Sequence, residues 1–259
     1  MRKSSLIVVS ILILAGCSQT PIRNQKAVEV FFVADTPRGF KLFSEVRNFS
    51  ESDDLDVQVL SDLVSGKLVP LDPDYVNLWG GTNILNSIAP SGAKATIDLG
   101  LITLNIGAEG EQRAIDQIVW TYLGLAKDIK SVRFTVNGNA VESFAGHVDT
   151  SGEFRRAPSY EVLNPVQISS IKDGGVQRSP VTVYGEACTF EANVVWSLLL
   201  NGVVVKDGFT TATSGCPDRG DWSVSLEDLE PGRYVIQVLE YSAEDGSLFA
   251  EDDKNFFVK

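Results

Sequence analysis

Near residue 156 the hydrophobic pattern of this 259-residue chain changes its period. Before that point two segments repeat apolar residues at helical spacing; beyond it none does. In residues 109–126, EGEQRAIDQIVWTYLGLA, the side chains of Ala114, Ile115, Ile118, Val119, Tyr122 and Leu125 fall on one stripe, and acids occupy the first turn. Residues 55–64, LDVQVLSDLV, repeat the pattern at Leu55, Val59, Leu60, Leu63 and Val64, with ESDD before and Gly66 after. Around these helices lie strand-like runs. VEVFFVAD and KLFSEVRNF flank a turn at Pro37 and Gly39, and two short alternating runs follow the Pro/Gly-rich stretch after Asp72. SVRFTVNGNAVESFAG predicts a hairpin turning at Asn137-Gly138, because a type I′ turn needs positive φ at both central residues. An α+β domain over 27–156, a sheet covered by two helices, follows. The charged, proline-bearing EFRRAPSYEV is the linker. Over 163–259, turn signals at Asn201-Gly202, Pro231-Gly232 and Asp245-Gly246 punctuate short strands, which predicts an all-β, immunoglobulin-like sandwich.

The N-terminus carries a separate message. Residues 6–15 are apolar, but a membrane-crossing helix needs ~20 such residues. Basic Arg2 and Lys3, an oily stretch and small residues give the layout of a secretory signal peptide over 1–16. Leu14-Ala15-Gly16-Cys17 looks like the bacterial lipobox, so lipidation of Cys17, a polar tether over 17–26 and an extracytoplasmic, membrane-held globular part are expected. Each buried acyl methylene adds ~0.8 kcal/mol to such anchoring. The net charge of -12 grows more negative once Arg2 and Lys3 are lost, and no Lys/Arg cluster offsets it, which argues against nucleic acid as a partner. With Cys17 acylated, Cys188 and Cys216 remain as the one possible disulfide, the alternative being two free buried thiols.

No constellation of catalytic residues stands out. His147 is the sole histidine, and no serine sits in a G-x-S-x-G elbow. Two cysteines and one histidine are too few for zinc. The acids of ESDDLD, DPD and EDDK lack EF-hand spacing and read as solvated loops. WGGTN, residues 79–83, reads as a tight turn, since it lacks the P-loop lysine and a following helix. Trp120 and Trp196 are expected in cores, whereas Trp222, just after PDRGD, is a candidate exposed anchor for a partner. No metal and no cofactor are expected.

Residues 28–156 resemble a GerMN domain, the module of bacterial sporulation and germination proteins and of some actinobacterial envelope lipoproteins. The resemblance rests on VEVFFVAD, EGEQRAIDQIVWTYLG, SVRFTVNGNAV and AGHVDT. Residues 163–259 are similar to the immunoglobulin-like Gmad domain, through SPVTVYGEACTFEANVVW, LNGVVVKDGFTTATSGCPDRGDWSV and EYSAEDGS. The resemblance implies a non-catalytic envelope lipoprotein, its first domain akin to ring-building modules, that scaffolds or modulates an envelope, germination or sensor assembly through an envelope protein partner. A second class is a lipoprotein that binds a cell-wall glycan or small solute in an interdomain cleft; a third, an envelope hydrolase, needs acids or His147 brought together in space.

Overall fold

The computed structural model describes residues 24–259. The signal peptide and the Cys17 acylation site lie outside the described residues. Strands β1 (Gln25–Thr36) and β2 (Gly39–Ser50) pair antiparallel, with Thr36 opposite Gly39 across the turn. Helix α1 (Leu55–Val64) follows at the predicted bounds and buries Leu55, Val59, Leu60, Leu63 and Val64, the residues its spacing set on one side. It stops at Gly66, whose φ is +74° and where a Cβ would stand 2.7 Å from the Gly80 Cα, so both the turn and the close approach require glycine. Strands β3 (Leu85–Ser91) and β4 (Lys94–Leu99) pair antiparallel. Helix α2 (Ala108–Leu125) then crosses over to β5 (Ser131–Val136), which lies parallel to β4. A parallel neighbour demands such a crossover.

One core holds the even-numbered face of β1 (Val28, Val30, Phe32), α1, the inner faces of β4 and β5, and Ala114, Ile115, Ile118 and Tyr122 of α2. The opposite face of β1 is also buried, with Phe31 and Val33 packed on Trp120, Val162 and Leu163. Helix α2 is therefore covered on more than its predicted stripe, and Gln117 and Thr121 are buried too. These polar residues close the outer edge of β1. Thr121 Oγ1 accepts the Phe31 N–H at 3.2 Å, and Gln117 Nε2 donates to the Phe31 carbonyl at 3.0 Å. Just beyond, Val33 exchanges two backbone hydrogen bonds with Val76. The other edge of the hairpin is closed from the linker side. Gln167 accepts from Ser44 N at 3.2 Å and donates to Ser44 O at 3.0 Å, and Asn164 N donates to Leu42 O. A glutamine thus stands in for a neighbouring strand on each side, at Phe31 and at Ser44.

The expected hairpin after β5 is only half realised. Asn137 (φ 49°) and Gly138 (φ 78°) make the tight turn, and Val136 and Asn139 exchange backbone hydrogen bonds, but no second strand continues from it. Residues 143–148 are drawn away by the Glu111 carboxylate instead.

After one helical turn at Ser159–Val162 come β6 (Val166–Ile168), β7 (Gly175–Gln177), β8 (Val181–Ala187), β9 (Asn193–Leu200), β10 (Val203–Thr211), β11 (Gly220–Leu226), β12 (Gly232–Tyr241) and β13 (Leu248–Val258). They form two sheets, β10-β9-β12-β13-β7 and β11-β8-β6. Val183, Val194, Leu198, Leu226, Ile236 and Phe256 fill the space between. Trp222 belongs to this core at 2% exposure, which corrects its assignment as a surface anchor. The alternation of β11 explains why: Trp222 shares the inward side of the strand with Leu226, and Asp221 and Ser223 point out. Cys188 and Cys216 are joined by a disulfide, with Cα atoms 4.5 Å apart.

Candidate functional site

The densest set of ionisable groups lies where the two domains meet. In β13 the even positions are buried, and two of them are Asp252 and Lys254, where the alternation calls for apolar side chains. The first domain supplies what they need. Lys254 Nζ lies 2.8 Å from Asp72 Oδ2 and 2.5 Å from Asp252 Oδ1. Asp72 is thus the second carboxylate facing this ammonium, and the one that comes from the first domain. Lys254 also donates to the Tyr75 hydroxyl at 2.8 Å, and that hydroxyl donates to Asp252 Oδ1 at 3.0 Å. Asp252 Oδ2 accepts the Ile168 N–H at 2.6 Å. Burial alone pushes Lys254 down, yet Asp252 and Asp72 override it and hold the ammonium above its ordinary pKa. Tyr75 moves well up, first through burial and then through the Asp252 charge. Asp253, next in the strand, is pushed up to about 6 by burial and by its neighbours Asp252, Asp74 and Asp72.

Other contacts tie the same seam. Asn164, whose N–H donates to Leu42 O across the seam, is held in place by Arg219, which donates to its carbonyl at 2.9 Å, and by its own Nδ2 hydrogen bonds to Val166 O and Glu251 O. At the β1–β2 turn, the Arg38 guanidinium carbon lies 4.3 Å from the centre of the Phe249 ring. Two openings flank the plug made by Tyr75. One, of about 100 Å³, lies against Ser44, Ile168 and Lys172. The other, of about 350 Å³, has a wall dominated by the carboxylates of Asp35, Asp74, Glu251 and Asp253. The smaller falls below the ~300–1,000 Å³ typical of small-molecule sites. The larger reaches that size, with few donors to set against its acids.

A second cluster centres on Glu111, near the start of α2. Its Oε1 accepts from Ser143 Oγ, Phe144 N and Ala145 N, each at 2.8 Å. Its Oε2 accepts from His147 N at 2.8 Å and Val148 N at 3.1 Å. Burial pushes this carboxyl up, and the hydrogen bonds from Ala145, Ser143, His147 and Phe144 more than offset it, leaving Glu111 below the usual range. The carboxylate is thus a loop-binding device. It links EGEQRA to AGHVDT, two stretches far apart in sequence.

The remaining candidates separate. His147 is exposed and reaches Glu111 only through its backbone. WGGTN is a tight turn: Trp79 is fully buried, Gly81 has φ 99°, and Asn83 Nδ2 donates to the carbonyls of Trp79 and Gly80. Trp120 is in the second core of the first domain, and Trp196 packs partly buried against the sandwich core. Of the acidic runs, ESDD is exposed as expected, but EDDK is no loop; it is part of β13, and Asp252 and Lys254 are inside. Among the described residues no group of three or more His, Cys, Asp or Glu is placed to hold a metal ion, and no helix is long and apolar enough to cross a membrane.

A small α/β domain with two helices, docked on an immunoglobulin-like sandwich through a buried polar seam, defines the class of protein. Residues 29–142 match the Germane family, described as "Sporulation and spore germination", and residues 160–247 match Gmad2, "Immunoglobulin-like domain of bacterial spore germination". The chain therefore joins a Germane (GerMN) domain to a Gmad2 domain, both of spore-germination type. Among solved structures it is similar to the first GerMN domain of the sporulation protein GerM from Bacillus subtilis, at 18% identity over 51% of this chain and 98% of that one, with a TM-score of 0.43. The tandem GerMN domains of the same protein match at 14% identity over 80% of this chain and 63% of theirs, again with a TM-score of 0.43. No curated protein matches.

Proposed function

We propose that the protein is a non-catalytic envelope lipoprotein, anchored through Cys17, that works by docking to another envelope protein in a sporulation, germination or sensor assembly. The observation that carries this reading is the use made of the charged groups: Asp72, Asp252 and Lys254 fasten one domain to the other, and Glu111 fastens a loop. Chemistry that an enzyme would aim at a substrate is spent inside the fold. Both matched families are described by sporulation or germination, which supports an envelope setting.

The anchor has a geometric consequence. β1 is 12 residues long and ends at the turn whose Arg38 touches the second domain. At ~3.3 Å per residue the tether enters about 40 Å away, at the far end of the first domain. An acyl chain on Cys17 then holds the Germane domain toward the membrane and presents the Gmad2 domain outward.

Intact-mass analysis and cell fractionation test the placement. The native protein should lack residues 1–16, carry fatty acid and sediment with membranes, and Cys17→Ser should release it. Photo-reactive residues at exposed sites of both domains test the docking: a specific envelope protein should be recovered from one face. Uniform absence of adducts, or a native chain still bearing Met1, defeats the respective half of the reading.

A further inference from the structure

The disulfide of the second domain reaches further than the sandwich it closes. Cys188 follows β8, and Cys216 lies 28 positions on, in the loop before β11. Each stands beside a hold on the linker. The Cys188 N–H donates to the Pro165 carbonyl at 2.7 Å, and Arg219, three residues past Cys216, donates to the Asn164 carbonyl at 2.9 Å. Arg219 is itself steadied by Glu186, two residues before Cys188, whose Oε2 lies 3.3 Å from its Nε. Asn164 in turn donates its N–H to Leu42 O at 3.0 Å, a link to β2 of the Germane domain. One covalent bond therefore stands behind two consecutive linker carbonyls and one contact between the domains.

The segment that the bond closes is held against its own preference. Glu191 and Ala192 take φ of 53° and 57°, left-handed backbone that residues with a Cβ avoid. The chain around Cys216 pins them there. The Cys216 N–H donates to Thr189 O at 3.2 Å, and the Ala212 N–H donates to Ala192 O at 2.8 Å. Thr189 is fully buried, and its hydroxyl makes no hydrogen bond within the chain. Costs of this kind persist only where the surroundings enforce them, and here the Cys188–Cys216 bond does so. Cys188 is buried at 2% exposure, whereas Cys216 is exposed, so a thiol can approach the bond from the Cys216 side.

We propose that Cys188–Cys216 is a redox-sensitive clamp on the domain junction, opened by a dithiol. A thiolate of the reductant attacks Cys216 Sγ to form a mixed disulfide, and the Cys188 sulfur leaves with the bonding pair and takes up a proton. The second thiol of the reductant, losing its proton, then attacks the first and displaces the Cys216 sulfur, which is protonated in turn. Two electrons and two protons pass to the cysteines, and the reductant is left as a disulfide. Residues 189–192 are then free to relax, and the Cys188 amide and Arg219 lose their fixed places on Pro165 and Asn164. The Lys254 network is untouched, so the domains stay together while the strap between them loosens.

Amide hydrogen exchange of the whole chain, followed by NMR with and without dithiothreitol, is the test. Without urea, the reductant should open the bond and speed exchange at the Asn164 N–H about tenfold or more, while amides of α2 and β12 keep their rates. Oxidised Arg219→Met should already exchange faster at Asn164, and reduction should add less to it than to wild type. Cys188→Ala/Cys216→Ala should match reduced wild type and ignore the reductant; if that variant does not fold, reduced wild type decides alone. A bond that excess dithiothreitol leaves closed in the folded chain overturns the proposal, as does an unchanged rate at Asn164. So does a reduction effect in Arg219→Met as large as in wild type. A rise shared equally by Asn164 and β12 overturns it too, since the disulfide then only stabilises the sandwich.

Discussion

Single side chains in this protein do work that their residue types do not announce. Glu111 sits in the first turns of an amphipathic helix, a place where acids usually face water, yet it gathers four backbone N–H groups and one hydroxyl from residues 143–148. Glu111→Ala leaves those donors unpaired and should cost about 2–4 kcal/mol in urea denaturation, since hydrogen bonds to charged groups are worth more than neutral ones. Its lowered pKa means that the stabilisation is complete above the ordinary glutamate value and disappears as pH falls through the lower folded one. Glu111→Gln should therefore lose less stability than wild type between about pH 5 and pH 3, read from the urea midpoint at each pH. Asp253 behaves in the opposite sense. Its folded pKa of about 6 lies above the unfolded value, so the native state is favoured below that unfolded value and penalised progressively as pH rises to about 6. Asp253→Asn should raise Tm by about 2–4 °C at pH near 7.5, with little change near pH 4. Equal shifts at both pH values would mean that burial of the Asp253 charge and its repulsion by Asp252, Asp74 and Asp72 are not the cause.

Elements were legible wherever one strong period governed a segment. α1 and its five buried residues could be read from LDVQVLSDLV because it buries one face, and α2 from the stripe that it turns to the main core. What the stripe could not show is that α2 also serves β1, lending Gln117 and Thr121 to a strand edge distant in sequence. Gln117→Leu removes that cap and also the acceptor for Leu78 N–H at 3.1 Å. A loss of about 1–3 kcal/mol is expected, with faster hydrogen exchange at Leu78 and in β1 than elsewhere in the domain. The turn at Asn137-Gly138 was legible, while the strand expected after it was not formed, because a competing acceptor on α2 takes the N–H groups a strand would use. Trp222 shows the reverse case. The alternation of β11 points it inward, and its nearness to a polar loop was the weaker signal.

For the whole molecule, the informative fact is that charge has been placed in the buried register of β13. Sequence alone gave no reason to expect it: EDDK looks solvated until Tyr75 and Asp72 of the other domain are set beside it. A buried ion pair contributes little net stability compared with a well-packed apolar substitute, but removing one partner leaves the others uncompensated. Here that partner is Lys254, facing two buried carboxylates from different domains. The seam therefore acts as a coupling element more than as a stability reserve. Wild type should unfold in one calorimetric transition, because neither domain can open without exposing its half of the network. Lys254→Met keeps most of the side-chain volume and deletes the charge, at a cost of about 3–5 kcal/mol. It should split the transition in two, the Germane domain and the disulfide-closed sandwich melting separately. Added salt should leave the wild-type profile nearly unchanged, since a pair this deeply buried is weakly screened. A variant that still melts in a single step, merely at lower temperature, would place the coupling in the hydrogen bonds that Gln167 and Asn164 make with Ser44 and Leu42 instead.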